Sequence, residues 1–230
     1  MSDWLALQRT ISISFKDDSI LEQALIHSSY VNENPGCKFT DNERLEFLGD
    51  ALLSFIVAEE LYGRFTDFGE GDLTEIRISL IRQETLSDIA SQIKLGDHLL
   101  LGRGEEATGG RTKPTNIADA FESLVGAIYL DQGLDVTRRF VLAKYASQLE
   151  DARASGIGRN YKALLQELTQ ARHKQLPSYQ VVKSSGPDHD KSFTVEVRLG
   201  DRVLGAGYGK TKRAAEMDAA HSAWQQLSAE

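Results

Sequence analysis

The stretch NERLEFLGDA (Asn42–Ala51) sets three carboxylates, Glu43, Glu46 and Asp50, among Leu45, Phe47 and Leu48. On a helix turning roughly 100° per residue, the three fall within an arc of about 60°. Like charges at that spacing repel by a few tenths of a kcal/mol per pair. A sequence shaped by stability alone would interleave Lys or Arg. A second acidic pair, Asp119 and Glu122, stands at i and i+3 in IADAFESLVGAIYLD (Ile117–Asp131), again on one face of an otherwise apolar helix. Two such helices side by side would form a cage of carboxylate oxygens. Hard divalent cations such as Mg²⁺ take that donor set, with water filling the remaining positions. A cation so held can activate water, or bind and polarise a phosphodiester. The spacing alone also fits a solvated acidic face, so the cage needs a second line of support.

That support lies near the other end of the chain. In GYGKTKRAAEMDAA (Gly207–Ala220), glycines end a strand, and Lys210, Lys212 and Arg213 gather at the start of a helix. Helix N-termini offer free N–H groups and partial positive charge. Three added cations make a site for phosphates, such as those flanking the deep major groove of A-form RNA. A short basic run alone is as readily a solvated face. Phosphate chemistry needs both a cation and a phosphate-binding partner, and the two constellations together supply them.

The elements that must hold these residues differ between the two parts of the chain. Apolar residues recur at helical spacing in SILEQALIHSSYV, ERLEFLGDALLSFIVAEELYGRF, DLTEIRISLIRQETLSDIASQI and IADAFESLVGAIYLDQG. Asp41 or Asn42 can cap the second of these helices, and Asp72 or Thr74 can start the third. LGRGEEATGGRTKPTN (Leu101–Asn116) is polar and Gly-rich and reads as a surface loop. After the helical stretch VTRRFVLAKYASQLEDA comes RASGIGRN (Arg153–Asn160), a short flexible linker by composition. Beyond it, YKALLQELTQARH predicts an amphipathic helix. SYQVVKS, SFTVEVRLG and RVLGAGYGK predict strands, and TKRAAEMDAAHSAWQQL a closing helix. An antiparallel sheet covered on one face by two helices is the economical packing. The expected boundaries are a domain over 1–153, a linker over 154–160 and a domain over 161–230.

Composition agrees with two jobs. The chain of 230 residues is 41% hydrophobic and carries a net charge of −8, which taken whole argues against a nucleic-acid partner. The charge is divided, however. Residues 1–157 hold 15 Lys+Arg against 26 Asp+Glu, and residues 158–230 hold 11 against 8. No apolar run reaches the ~18 residues of a membrane span, and the first residues lack the pattern of a signal peptide. Cys37 is the single cysteine, so no internal disulfide forms, which fits a reducing cytoplasm.

NERLEFLGDA is similar, almost letter for letter, to the signature of the ribonuclease III family. IADAFESLVGAIYLD resembles that family's second acidic motif, ALIHSSY (Ala24–Tyr30) its early helix, and EGDLTEIRISLI (Glu70–Ile81) its middle segment. The C-terminal stretch resembles a double-stranded-RNA-binding domain. YKALLQELTQ matches its first helix, GPDHDKSFTVEVRLG its middle loop and strand, and GYGKTKRAAEMDAA its basic helix start. Thr211 stands where Ser is common and Arg213 where Lys is common, and both keep the chemistry.

The resemblance implies an all-α endonuclease domain followed by an α+β (α-β-β-β-α) RNA-binding domain. It implies a cytoplasmic homodimer that hydrolyses double-stranded RNA with Mg²⁺, with Mn²⁺ able to substitute. The products would carry 5′-phosphate and 3′-hydroxyl ends with short 3′ overhangs. Substrates by family are precursor ribosomal RNA and some messenger and transfer RNA precursors. On this reading Asp50 and Glu122 are the catalytic pair, and Glu46, Asp119 and Glu122, with Asp50, hold metal. Glu43 and Glu70 are supporting acids. Gln166 and Glu167 would meet minor-groove 2′-hydroxyls, His189 the next minor groove, and Lys210, Lys212 and Arg213 the phosphates between. Phe47 would pack into the partner subunit, although periodicity alone places it in the core beside Leu45, Leu48, Leu52 and Phe55.

Other features carry less. His27 and His173 read as packing or capping residues, and no His/Cys spacing suggests zinc. GRGEEATGG lacks the Lys-Ser/Thr of a phosphate-binding loop, so no nucleotide cofactor is implied. Helix-start stabilisation explains Glu70 as well as the resemblance does. Two rivals remain: a non-catalytic RNA-binding protein on the same scaffold, which would lack acidic positions, and a dimetal oxidase, which would want a Glu-x-x-His pair.

Overall fold

The structure, a computed structural model, describes residues 4–66, 68–154, 161–187 and 191–228. It divides into two compact units, Met1–Gly158 and Arg159–Glu230. Residues 155–160 of the expected linker, and His189, lie outside the described residues.

The first unit is helical: α1 (Trp4–Ile11), α2 (Asp18–Ala24), α3 (Ser28–Glu33), α4 (Glu43–Arg64), α5 (Glu70–Ile81), α6 (Gln83–Gln92), a 3₁₀ turn (Leu95–His98), α7 (Arg103–Ala107), α8 (Pro114–Gln132), α9 (Leu134–Lys144) and α10 (Ala146–Ala154). Its centre is α8. Ile117, Ala120, Phe121, Leu124, Val125 and Ile128 are all buried, so this helix is apolar nearly all round, as a central helix must be. The signature helix α4 packs along α8, with α2, α6 and α9 against other parts of it.

Three stretches expected as single helices are each two. Between α2 and α3 the chain extends, and Ile26 forms an isolated parallel bridge with Leu100. The His27 N–H donates to the Leu100 carbonyl at 3.1 Å, and His27 Nδ1 accepts from the Ser29 N–H at 3.2 Å, starting α3. At Arg82 (φ −69°, ψ 153°) α5 gives way to α6, and Thr85 Oγ1 donates back to the Ser79 carbonyl at 2.8 Å. At Tyr145 the chain passes from α9 to α10 with the ring fully buried. At Ile26 and Tyr145 full burial at the break overrides a continuous helical period, whereas Arg82 is exposed and its break is closed by the Thr85–Ser79 bond.

The polar stretch after Leu101 is likewise more than a loop. It contains α7, whose first N–H groups, those of Arg103 and Gly104, donate to the Glu33 carboxylate at 2.9 and 3.2 Å. Arg111 Nη1 straps its end by donating to the carbonyls of Gly96, Asp97 and Leu99 at 3.1, 3.2 and 2.8 Å. The partners lie 12–15 residues or more away in sequence, so local composition could not reveal them.

The second unit runs α11 (Tyr161–His173), β1 (Ser178–Ser185), β2 (Ser192–Leu199), β3 (Arg202–Gly209) and α12 (Lys212–Ser228). The sheet is antiparallel in the order β1-β2-β3, with bulges at Val181/Lys183 and Val197/Arg198. Val195, Val197 and Leu204 form a core with Leu165 and the alanine face of α12. A side chain at Gly207 would run into the α12 backbone at Ala219, so a Gly-rich strand and an Ala-rich helix are two halves of one close contact. Tyr161 stacks on His221 at 4.1 Å between ring centroids, tying α11 to α12.

Candidate active site and nucleic-acid interface

The crossing of α4 and α8 is made by glycines. A Cβ on Gly49 would fall on the carbonyl of Glu122, and one on Gly126 would fall on the carbonyl of Leu45. The two backbones therefore meet with no side chain between them. This closeness brings Glu46 of α4 to Asp119 and Glu122 of α8, and one carboxylate oxygen from each lies within 4.8 Å of the others. None of the three forms a salt bridge with Lys or Arg among the described residues. Burial raises the Glu122 carboxyl to about 8, with Asp50, Glu46 and Asp119 adding to the rise in that order. Glu46 is raised by burial, then by Asp119, Glu43 and Asp50. Asp119 is raised by burial, with His27 and Lys113 opposing. Three half-buried carboxylates thus share a deficit of positive charge. Their hard oxygens, close enough to be bridged by one ion, fit a divalent cation with open positions left for water.

The other predicted acids are placed differently. Asp50 is exposed and outside the group of three, yet its charge is the foremost one acting on Glu122. Glu43, exposed in the first turn of α4, acts on Glu46. Glu70 is not gathered with them. It starts α5 and accepts from Thr74 Oγ1 at 3.2 Å. It also lines a cavity of about 380 Å³ with Ala58, Leu61, Tyr62, Phe68 and Arg77. Ala58 lies twelve residues along α4 from Glu46, about 18 Å of helix. Phe47 is 80% exposed, and Phe55, expected in the core, is 51% exposed. The inward residues of α4 are instead Leu45, Gly49, Leu53, Ile56, Val57 and Leu61. Sequence reasoning missed Tyr145. It is fully buried, its hydroxyl has no hydrogen-bond partner among the described residues, and burial together with the Glu122 charge pushes that hydroxyl up.

In the second unit, Lys210, Lys212 and Arg213 are exposed where β3 turns into α12. Thr211 Oγ1 accepts from the Ala214 N–H at 3.1 Å and caps the helix between them. Lys212 Nζ lies 6.0 Å from the centroid of the Phe193 ring. Gln166 and Glu167 are exposed on α11 and line a shallow hollow with Gln170, Ala171 and Lys174.

Two family models match the chain: Ribonuclease-III-like over residues 17–149, and Double-stranded RNA binding motif over residues 161–227. Ribonuclease 3 of Dehalococcoides mccartyi (strain ATCC BAA-2266 / KCTC 15142 / 195) is 46% identical over 227 residues, 99% of this chain and 96% of that protein. The chain belongs to the ribonuclease III family. Ribonuclease 3 of Natranaerobius thermophilus is 44% identical over 98% of this chain and 97% of its own length. The crystal structure of the nuclease domain of ribonuclease III from Campylobacter jejuni superposes with a TM-score of 0.59 at 36% identity, covering 64% of this chain and 97% of that one. A second structure of that domain has a TM-score of 0.58 at 37% identity, over 62% of this chain and 95% of that one. It is described as showing structural flexibility in the region involved in dimer formation. The chain is accordingly a ribonuclease III-family endoribonuclease for double-stranded RNA, with the helical nuclease fold followed by the α-β-β-β-α RNA-binding fold. The family is one of divalent-metal nucleases, and this chain carries an acidic cluster on α4 and α8 that could hold such an ion. No described helix is long and apolar enough to cross a membrane.

Proposed function

We propose that the chain is a Mg²⁺-dependent homodimeric ribonuclease III that cuts both strands of duplex RNA. Each subunit would cleave one strand, leaving 5′-phosphate and 3′-hydroxyl ends and short 3′ overhangs. The observation that carries the metal site is the convergence of Glu46, Asp119 and Glu122, all with raised carboxyls and none in a salt bridge with Lys or Arg among the described residues. These three would hold Mg²⁺, or Mn²⁺ in its place, with Asp50 beside them. The ion would supply an activated water and charge stabilisation at the scissile phosphate. Asp50, exposed beside the three and acting on Glu122, would bind and align that water, with Glu122 on the more buried side. Glu43 adds negative charge at the entrance. The division of labour follows residues 1–153 and 161–230, joined through 154–160.

The outward face of α4 supports dimerisation. Phe47, Phe55 and Tyr62 are exposed at near-even intervals along it. A twofold axis near Phe55 would set Phe47 of one subunit against the cavity beside Tyr62 of the other. It would also bring the partner copy's Glu70 end toward the Glu46 end of this one, giving Glu70 a supporting place. Duplex RNA would be held by Lys210, Lys212 and Arg213 on phosphates, by Gln166 and Glu167 on 2′-hydroxyls, and by His189 in the next minor groove. Substrates of this class are precursor ribosomal, messenger and transfer RNAs in the cytoplasm.

The test is incubation with a long RNA duplex, with Mg²⁺ and with chelator. Cutting is expected only with the ion. Asp50→Asn and Glu122→Gln should each abolish cleavage and retain duplex binding in a gel-shift assay. Wild-type cutting by either variant, or cutting under chelation, would overturn the mechanism.

A further inference from the structure

Asn42 begins the signature stretch at the N-cap position of α4, but its side chain makes no cap there. That role falls to Asp41, whose Oδ1 accepts from the Glu43 N–H at 3.3 Å. Asn42 is instead turned inward, 5% exposed, and joins three helices. Its Nδ2 donates to the Ala24 carbonyl at the end of α2 at 3.2 Å, and its N–H donates to the Ile26 carbonyl at 2.9 Å. Its own carbonyl accepts from the N–H groups of Leu45 and Glu46, each at 2.9 Å, and from Ser123 Oγ on α8 at 3.2 Å. Ser123 is fully buried and adjoins Glu122. One carbonyl oxygen therefore ties the backbone of Glu46 to the residue beside Glu122.

A first helical turn is where a helix frays most easily, and this one bears mutually repelling acids. We propose that Asn42, acting with Ser123, is a positioning residue for the metal site, holding the first turn of α4 against α8 so that Glu46 meets Asp119 and Glu122. The inference rests on the metal reading of that cluster. Asn42 is buried with its side chain bonded to the Ala24 carbonyl, so its action on the site would be indirect. Its effect is to hold the ligand oxygens together before an ion arrives.

The test uses the full chain as wild type, Ser123→Ala, Asn42→Ala and Asn42→Leu, the last near in size but without the Nδ2 donor and without charge. Mn²⁺ binding without RNA is measured by calorimetry, melting temperature by calorimetric scan, and the Mg²⁺ requirement by cleavage of a long duplex. The variants are expected to need roughly tenfold more ion for half-saturation, the low end of losses seen when groups supporting metal ligands are removed. Saturating Mg²⁺ should restore kcat to within about twofold, and duplex binding should be unchanged. A folded variant that melts lower yet binds Mn²⁺ like wild type would overturn the positioning role alone. Wild type that binds no ion would overturn the metal reading and this inference with it. Ser123→Ala removes one hydroxyl and leaves the Asn42 carbonyl two N–H donors, so it decides the matter if Asn42→Ala does not fold.

Discussion

At Glu122, burial and three neighbouring carboxylates push in the same direction, from an ordinary value of 4.5 to about 8. The raised value means that the metal-free native chain holds a proton there which the unfolded chain releases at lower pH. Stability from this group is present below pH 4.5 and is lost as pH rises through about 8. The chelated protein should therefore melt at falling temperature between pH 5 and 8, through a change of a few kcal/mol. Glu122→Gln should flatten that slope, as a scanning-calorimetry series would read. Ion binding displaces the same proton, so Mg²⁺ affinity should rise over the same range. Helical spacing in the sequence put Glu43, Glu46 and Asp50 on one face. It did not reveal that Glu46 turns inward while Glu43 and Asp50 stay exposed, because that depends on how α8 crosses. Nor could it find Tyr145, which reaches the Glu122 side from 23 positions further along the chain.

Among the elements, the α4–α8 crossing decides the site. Gly49→Ala would drive a methyl into the Glu122 carbonyl, where backbone cannot yield as a side chain might. A loss on the order of 3 kcal/mol is expected, with cleavage impaired at temperatures where the variant is still folded. Urea denaturation and a cleavage assay check the two parts. Helices α4 and α8 were legible because each carries a long apolar period bounded by recognisable starts. The breaks at Ile26 and Tyr145 were not, because burial against residues distant in sequence imposes them, and the one at Arg82 turns on a single local bond from Thr85 to Ser79. The Gly-rich run after Leu101 misled because Glu33 and Arg111 organise it through contacts outside its own composition. The order of elements in the second unit was plain from alternation, and the glycine–alanine contact between β3 and α12 explains why both compositions are so biased.

For the whole molecule, the division of charge sets how RNA is handled. On the proposed reading, the acidic first unit would repel a polyanion except where an ion intervenes, and duplex retention would fall to the basic start of α12. Replacing Lys210, Lys212 and Arg213 with Ala should weaken duplex binding across sequences and flatten its log-log salt dependence by about two to three, as filter binding at several salt concentrations would show. The proposed assembly rests on the outward face of α4, where Phe47, Phe55 and Tyr62 are exposed. Phe47→Ala should shift sedimentation toward monomer at micromolar concentration, with the helical content unchanged by circular dichroism. A trial of every substitution at all 230 positions would return Gly49 and Asp50 as equally intolerant neighbours. They would be so for unrelated reasons, one because a backbone occupies the space of any side chain and the other because, on the proposed mechanism, a carboxylate there serves the reaction. Intolerance alone would enrol Gly49 among the catalytic residues. Only a measurement of folding beside one of cutting separates a residue that reacts from one that makes room.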